Sequence, residues 1–542
     1  MALEDRDIDE QEAQEASRLL GDTSAEDDQE AQVDAAEREE LANGRLVTIF
    51  LSLYVGVFLS ALDGTIVATL LSRIASDFNE LRSVSWIATG YLISQAAAQP
   101  LYGKLSDIFG RKPLLLVSNV LFGIGSVLCG VAPNIWFLVF ARVIAGSGGG
   151  GLTTLSAITL SDIVSLRQRG LLQGIGNVLY GCGAAFGGIV GGVLAESVGW
   201  RWTFALQGPI IVLSIAAIQF NLQLPQKEVN KDLLKRIDFL GSFTLVTGLC
   251  LFLFSVSVGG TYFSWKSAIV VMPLSLSFIV LGAFAYIELY VAEEPVIPLF
   301  LLKDRTVAGS AFTSFFMTQV YFSNIFYTAI YSISVKGDSA TKSGSSLIPQ
   351  FIGSALGSLV CGVYMRSTGR YKPMSYLAGS CLTLGSLLLC TVHLDTNTTL
   401  VGSYLFLPGF GGGMFLTITL VGLIAAVPQE FQAVSTSIQY GFRGVGSTIG
   451  VAISAAIFQN ILGLQLHRRI TGPGSEEIID LVSDSVDNIS RIPEAMRESV
   501  TLSYLEACRA VFYSSALMAI LAFVSSIFMK EHVLHKTVNR SR

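Results

Sequence analysis

The sequence predicts an all-α polytopic membrane protein: fourteen spans, in two six-helix halves with two helices inserted between them. Three observations carry this reading. First, the 542 residues are 51% hydrophobic and only 14% charged, with a mean hydropathy of +0.58, whereas a soluble domain carries about 25% charged residues. Second, fourteen apolar runs follow one another, and a helix of about 20 apolar residues crosses the hydrocarbon core. Third, glycine and charge patterns of the first half return roughly 260 residues later, as expected of an internal duplication.

The chain opens on a segment of a different kind. Residues 1–44 hold sixteen Asp or Glu against three Arg, a net of −13 within an overall −6. Such a composition cannot bury enough apolar surface to fold, so 1–44 is expected to be a disordered acidic tail in the cytosol. It lacks the basic start and early apolar core of a signal peptide. Within it, Glu15, Leu19 and Leu20 form an acidic dileucine pattern that fits a sorting adaptor.

The fourteen runs lie near 46–69, 84–103, 113–132, 135–160, 170–195, 203–222, 238–258, 267–288, 308–333, 345–364, 376–394, 401–427, 434–460 and 510–530. Basic residues in short loops set orientation. With the N-terminus in the cytosol, fourteen Lys or Arg fall in short cytosolic loops and six on the opposite side. Both ends are therefore expected in the cytosol. The two N-x-S/T sequons, at Asn397 and Asn488, then face the lumen or exterior, where glycosylation takes place.

The chain is organised around Gly103-Lys104-Leu105-Ser106-Asp107-Ile108-Phe109-Gly110-Arg111-Lys112, a charged turn between two apolar runs. Gly103 has no Cβ to hold off a neighbouring helix, and Gly110 suits a tight turn ahead of Arg111 and Lys112. This stretch resembles, at every diagnostic position, the signature loop between the second and third spans of the major facilitator superfamily. The resemblance implies a secondary transporter, with Asp107 and Arg111 holding its two halves together when it faces outward.

The duplication agrees with that likeness. Gly103, Gly110, Arg111 and Pro113 return as Gly362, Gly369, Arg370 and Pro373, and Gly148–Gly151 returns as Gly409 and Gly411–Gly413. Arg366 stands where the first copy has Asp107. Six spans account for less than this offset, so two more must sit between the copies. The expected division is a tail over 1–44, a first half over 45–222 and an insert with linkers over 223–307. A second half over 308–530, with a lumenal loop at 461–509, and a cytosolic tail over 531–542 complete it.

A charge inside a membrane costs about 2.5–3.5 kcal/mol on insertion scales, so each needs a reason. Asp63 in the first span, Arg142 in the fourth and Arg443 in the thirteenth stand out, while Asp238 and Glu288 fall near span ends. Leu62-Asp63-Gly64-Thr65 and Arg142-Val-Ile-Ala-Gly146 are similar to first-span and fourth-span motifs of the fourteen-span drug:proton antiporters. The resemblance implies that Asp63 and Arg142 serve proton coupling. A desolvated Asp binds a proton more readily, and a nearby Arg reverses this, so separating the two loads and unloads a proton. A permanent ion pair bracing two helices is the alternative. Asp63→Asn keeps the size and removes the charge, and on sequence grounds folding is expected to survive it. The fifth span carries Gly183, Gly187, Gly191 and Gly192, resembling the antiporters' glycine motif, with Gly188 where that family usually has proline. Such spacing implies close helix packing. Asn177, Gln207, Gln319, Asn324, Ser435, Thr436 and Gln439 are further polar residues within spans.

Seven scattered cysteines without C-x-x-C and four histidines without ligand spacing give no metal site. No nucleotide motif is present, so neither ATP nor another cofactor is expected, nor is nucleic acid. Within the fourteen-span antiporters, the tail and the block from Ser85 to Lys112 look most like fungal vacuolar basic amino-acid transporters. The expected function is therefore proton antiport of basic amino acids, with Asp63 available to a substrate amine. The expected partners are that substrate, protons, membrane lipid and a sorting adaptor. A plasma-membrane toxin exporter shares every helix motif and differs in needing a bulky aromatic cavity. A non-transporting nutrient sensor on this fold fits less well, because Asp63 and Arg142 are present and no long cytosolic domain exists.

Overall fold

The computed structural model describes residues 44, 46–67, 70, 74, 77–78, 86–164, 166–222, 237–260, 263–292, 294–338, 340–471, 475–484, 493–532 and 534. Glu15, Leu19 and Leu20, the linker at 223–236, Asn488 and the C-terminal stretch from 535 lie outside the described residues.

The described chain is helical throughout, apart from an isolated bridge between Gly259 and Phe263. In hydrocarbon, helices satisfy every backbone polar group within one segment, which is why the apolar runs fold this way. The first group is α1 (Leu46–Val67), α2 (Trp86–Phe109), α3 (Arg111–Gly130), α4 (Ile135–Ile163), α5 (Leu166–Ser197), α6 (Trp200–Ala205) and α7 (Gln207–Asn221). Next come α8 (Phe239–Val258) and α9 (Ala268–Tyr290). The second group is α10 (Arg305–Ser334), α11 (Ala340–Ser346), α12 (Ile348–Thr368), α13 (Lys372–Leu389), α14 (Thr398–Ala426), α15 (Gln432–Arg469), α16 (Ser475–Asp484) and α17 (Glu494–Ile527). Each apolar run coincides with one of the long helices, the sixth being broken between α6 and α7. Among the described residues, ten helical segments are long and apolar enough to cross a membrane. α2, α5, α10 and α13 fall outside those ten; Gly, Ser, Thr and charged residues dilute their apolar character.

The duplication is visible in the packing. α4 lies between α2 and α3, and α14 between α12 and α13. Glycine makes both arrangements possible. A Cβ on Gly148 would press into the Phe122 backbone of α3, and one on Gly150 would meet the Gln95 carbonyl of α2. In the second copy, a Cβ on Gly411 would press into Ala378 and Leu382 of α13, and one on Gly409 or Gly413 into Gln350 or Ser354 of α12. Gly110 and Gly369, equivalent in the two copies, both have positive φ, at 91° and 71°, a region open to glycine without steric penalty.

α8 and α9 pair with each other, and α8 packs on both α2 and α15. Only 17% of the apolar window of α9 is buried, against 78% for α14, so the inserted hairpin presents its outer helix to lipid. Asp238 caps α8 by accepting from the Gly241 N–H at 2.7 Å. Glu288 is buried and accepts from the Val296 and Ile297 N–H groups at 3.0 and 3.3 Å, tying down the chain that leaves α9. Both carboxylates near span ends therefore satisfy backbone donors.

The stretch read as a loop at 461–509 is largely helical among its described residues. α15 continues to Arg469, α16 forms a short amphipathic helix, and α17 starts at Glu494. Leu462, Leu466, Ile470, Ile479, Val482, Val500 and Tyr504 join one apolar cluster, and the Tyr504 hydroxyl donates to the Val482 carbonyl at 2.7 Å. These turns recur with helical period but carry too many polar residues to read as a span, so hydropathy alone set the boundaries short.

Candidate functional site

α1 carries Asp63 well along its length, and α4 carries Arg142 two turns after its start, and the two meet at the same depth. The pair is in contact: Arg142 Nη1 lies 2.5 Å from Asp63 Oδ2, with both side chains essentially fully buried. The other carboxylate oxygen accepts from Gln207 Nε2 of α7 at 3.2 Å. Arg142 lies 4.2 Å from the ring centroid of Tyr91 of α2 and 5.7 Å from that of Phe204 of α6, and its Nε donates to the Ile87 carbonyl at 3.4 Å. Every described partner belongs to the first group. The pair is sealed inside that half in this conformation.

The glycine motif positions the acid. A Cβ on Gly183 would come within 2.5 Å of the Phe58 carbonyl, and one on Gly187 equally close to the Leu62 carbonyl. α5 therefore lies directly on the turns of α1 that flank Asp63, and Thr65 Oγ1 donates to the Ala184 carbonyl at 2.8 Å. Gly191 and Gly192 continue the helix, with Gly191 buried.

The turn after α2 is tied by charge. Arg111 contacts Asp107 and Asp162, each at 2.8 Å, and donates to Ser106 Oγ at 2.6 Å. Lys112 Nζ donates to the Gln219 carbonyl of α7 at 2.8 Å. These Arg111 and Lys112 bonds stay within the first half. Lys104 reaches further, pairing with Glu294 beyond the inserted hairpin at 2.7 Å.

The two halves meet along α2 with α15 and α5 with α12. At the end bearing the charged turn, a Cβ on Gly103 would meet Ser437 and lie 2.8 Å from the Ala433 carbonyl of α15. Its counterpart Gly362 performs the same task on α5, where a Cβ would lie 2.6 Å from the Gly170 carbonyl. The signature glycine and its repeat are thus two of the places where the halves touch backbone to backbone, and the structure is closed at this end. Nearer the middle, Asn177 of α5 donates to Ser358 Oγ and Thr417 Oγ1 at 3.2 and 3.4 Å. One turn further along α5, Gly181 has open space around it and Cys182 is exposed.

The remaining polar span residues divide cleanly. Gln207 serves Asp63, and Asn177 bridges the halves. Gln439 bonds Ser314 and Thr419, and Asn324 accepts from Ser515, all inside the second half. Thr436 bonds back to its own helix at the Gln432 carbonyl, Gln319 packs against Gly450, and Ser435 is buried.

One constellation was not legible in the sequence. Tyr54 of α1, Tyr180 of α5, Tyr321 of α10 and Tyr440 of α15 lie within electrostatic reach of one another in a chain across both halves, with Arg443 beside Tyr440 and Tyr180. Tyrosine in a span reads as packing, and no spacing links residues on four helices.

Outside the spans, Trp200 and Arg201 hold Asp77 through Nε1 at 3.0 Å and Nη1 at 2.7 Å. The Arg201 hydrogen bond first, and the indole second, keep the Asp77 carboxyl below its ordinary range. This exposed clip between Asp77 and α6 therefore stays ionised through mildly acidic conditions, and it is lost only as pH falls below the usual carboxylate value.

The sequence profile of the Major Facilitator Superfamily matches residues 53–451. The chain belongs to the Major Facilitator Superfamily. It is thus a multi-pass membrane transporter, and the two groups of helices with α2–α15 and α5–α12 between them are the facilitator halves. Three relatives match nearly end to end. The multidrug resistance protein fnx1 of Schizosaccharomyces pombe is 36% identical over 93% of this chain and 96% of its own length. The vacuolar membrane amino acid uptake transporter fnx2 of the same organism is 37% identical, over 92% and 87%. The vacuolar basic amino acid transporter 2 of Saccharomyces cerevisiae is 33% identical, over 84% and 99%.

Proposed function

We propose that this facilitator is a fourteen-span proton antiporter that moves basic amino acids across the vacuolar membrane by alternating access. The observation that carries the coupling is the buried Asp63–Arg142 pair. Two opposite charges out of water persist only in contact, and removing either charge leaves the other uncompensated. Protonation of Asp63 and release of Arg142 are therefore one event. α1 and α4 carry the two partners, so a change in their relative position alters proton affinity. The amino-acid reading is supported by the vacuolar transporters among the relatives.

In this reading both termini are cytosolic, the charged turn is on the cytosolic face, and the conformation described is closed to the cytosol. The chain then divides at 45–222, 223–307 and 308–530. Asn397 faces the lumen as an exposed N-cap of α14 available for glycosylation. Asp107 and Arg111 secure the turn against α4, while Gly103 and Lys104 close it onto the rest of the molecule.

The deciding experiment is uptake of labelled lysine, arginine and histidine into isolated vacuoles or reconstituted vesicles. Uptake should appear when the interior is made acidic and collapse with a protonophore. Absence of proton-dependent uptake of all three would sink the proposal. Drug efflux is the second reading, favoured by the tyrosines across the interface and by the multidrug relative. It predicts gradient-driven transport of aromatic cations with no competition by lysine. Vacuolar placement rests on Glu15, Leu19 and Leu20 in the acidic tail. Leu19→Ala with Leu20→Ala should move a fluorescent fusion to the plasma membrane at unchanged protein level, and a fusion still on the vacuole would remove the motif.

A further inference from the structure

Arg443 is a charged residue within the spans that the coupling pair does not explain. It sits eleven residues into α15, roughly 16 Å from that helix's start at 1.5 Å per residue, and so near the middle of the bilayer. No carboxylate among the described residues pairs with it, and its Nη1 is buried without a hydrogen-bond partner. The guanidinium instead lies 4.8 Å from the ring centroid of Tyr440, within electrostatic reach of Tyr180 from the opposite half. The next residue, Gly444, packs on Ala96 and Gln99 of α2, and Gln99 Oε1 is likewise buried without a partner. An unmet donor and an unmet acceptor thus stand at one crossing of the two halves. Arg443 is half-buried; a guanidinium at membrane depth without a counter-ion is costly, and buried polar atoms without partners are rare. Both suit a ligand that supplies what is missing.

We infer that Arg443 binds the α-carboxylate of the transported amino acid, making a carboxylate-bearing solute the substrate class of this transporter. The inference rests on the amino-acid reading above and adds its recognition rule. Arg presents a planar fork that matches a carboxylate with two parallel hydrogen bonds. It also repels a cation that lacks one. A basic amino acid enters because its carboxylate meets Arg443 while its side-chain ammonium points away. A diamine of the same length has no such contact and meets only the repulsion. Asp63, already satisfied by Arg142 and Gln207, is not needed for binding.

The test is lysine counterflow in proteoliposomes at equal pH on both faces, with unlabelled lysine, lysinamide and cadaverine as competitors. For the wild type, lysinamide and cadaverine should compete roughly 10- to 100-fold more weakly than lysine, the worth of a lost charge-assisted hydrogen bond. Arg443→Gln should weaken lysine by the same factor and narrow the gap between lysine and lysinamide. Arg443→Lys, which keeps the charge and loses the fork, should fall between. Wild-type protein on which lysinamide or cadaverine competes as well as lysine overturns the inference without any variant. Unchanged lysine affinity in a folded Arg443→Gln protein overturns it too. Wild-type protein with no lysine counterflow at all overturns the amino-acid reading and this inference together.

Discussion

Proteoliposomes carrying Asp63→Asn should accumulate no lysine in response to a pH jump, while still exchanging lysine for lysine at equal pH. The geometry gives the reason. Asp63 is the carboxylate that neutralises Arg142 inside the first half, and its second oxygen is held by Gln207. A permanently neutral Asn cannot alternate between a proton and the arginine, so the proton step is lost. Exchange survives because Asp63 is sealed inside the first half, satisfied by Arg142 and Gln207. The structure also corrects the expectation that this change leaves folding untouched. Asn strands a fully buried guanidinium, and breaking a buried pair from one side costs about 3–5 kcal/mol. The variant should therefore unfold at lower temperature or yield less protein. Asp63→Asn with Arg142→Gln removes both charges and should recover much of that stability while remaining uncoupled. This double variant separates the two roles of the pair. If it recovered both stability and gradient-driven uptake, the pair would be a brace between α1 and α4, and proton coupling would reside elsewhere.

The sequence made the helices legible because the membrane imposes a simple rule: a span must be apolar and about 20 residues long. Every apolar run found its helix. The rule failed where helices leave the membrane, as in α16 and the first turns of α17, because amphipathic turns on a neighbouring helix obey a different pattern. The repeat of Gly103 at Gly362 and of Gly110 at Gly369 was equally legible, since backbone contact and positive φ both demand glycine. Individual charges were visible for the same reason, as each is expensive in lipid. Beyond the pairing of Asp63 with Arg142 and of Asp107 with Arg111 that the resemblance implied, their partners were not. Nothing in the linear order says that Gln207 serves Asp63, that Asp162 shares Arg111 with Asp107, or that Lys104 spans to Glu294. Arg443 was conspicuous as a charge, but its role depends on Tyr180, Tyr440 and Gln99, which come from three helices.

Replacing Gly103 with valine should reduce lysine uptake as severely as the coupling change, by a different route. In the closed end of the molecule the Gly103 position has no room: even one Cβ would meet Ser437 and come within 2.8 Å of the Ala433 carbonyl. The obstacle includes backbone, so it cannot move away as a flexible side chain would. Overpacking of this kind costs about 1–3 kcal/mol, and here it falls only on the conformation in which α2 and α15 touch. The closed state alone is penalised, which shifts the closed-to-open ratio by roughly 5- to 150-fold. Gly362→Val should do the same through the Gly170 carbonyl, because the repeat places it at the matching crossing. The readout is a cysteine at position 177, where Asn177 now bridges the halves beneath this closure. In either valine background, a membrane-impermeant maleimide applied from the charged-turn side should label it several-fold faster than in the otherwise native protein. Gly103→Ala, the milder insertion, should be partly relieved by Ser437→Gly, and only partly, because the Ala433 carbonyl remains. Unchanged labelling together with lost uptake would mean that Gly103 supports folding rather than closure. Unchanged uptake in Gly103→Val would mean that the closed end described here is not a state the transport cycle visits.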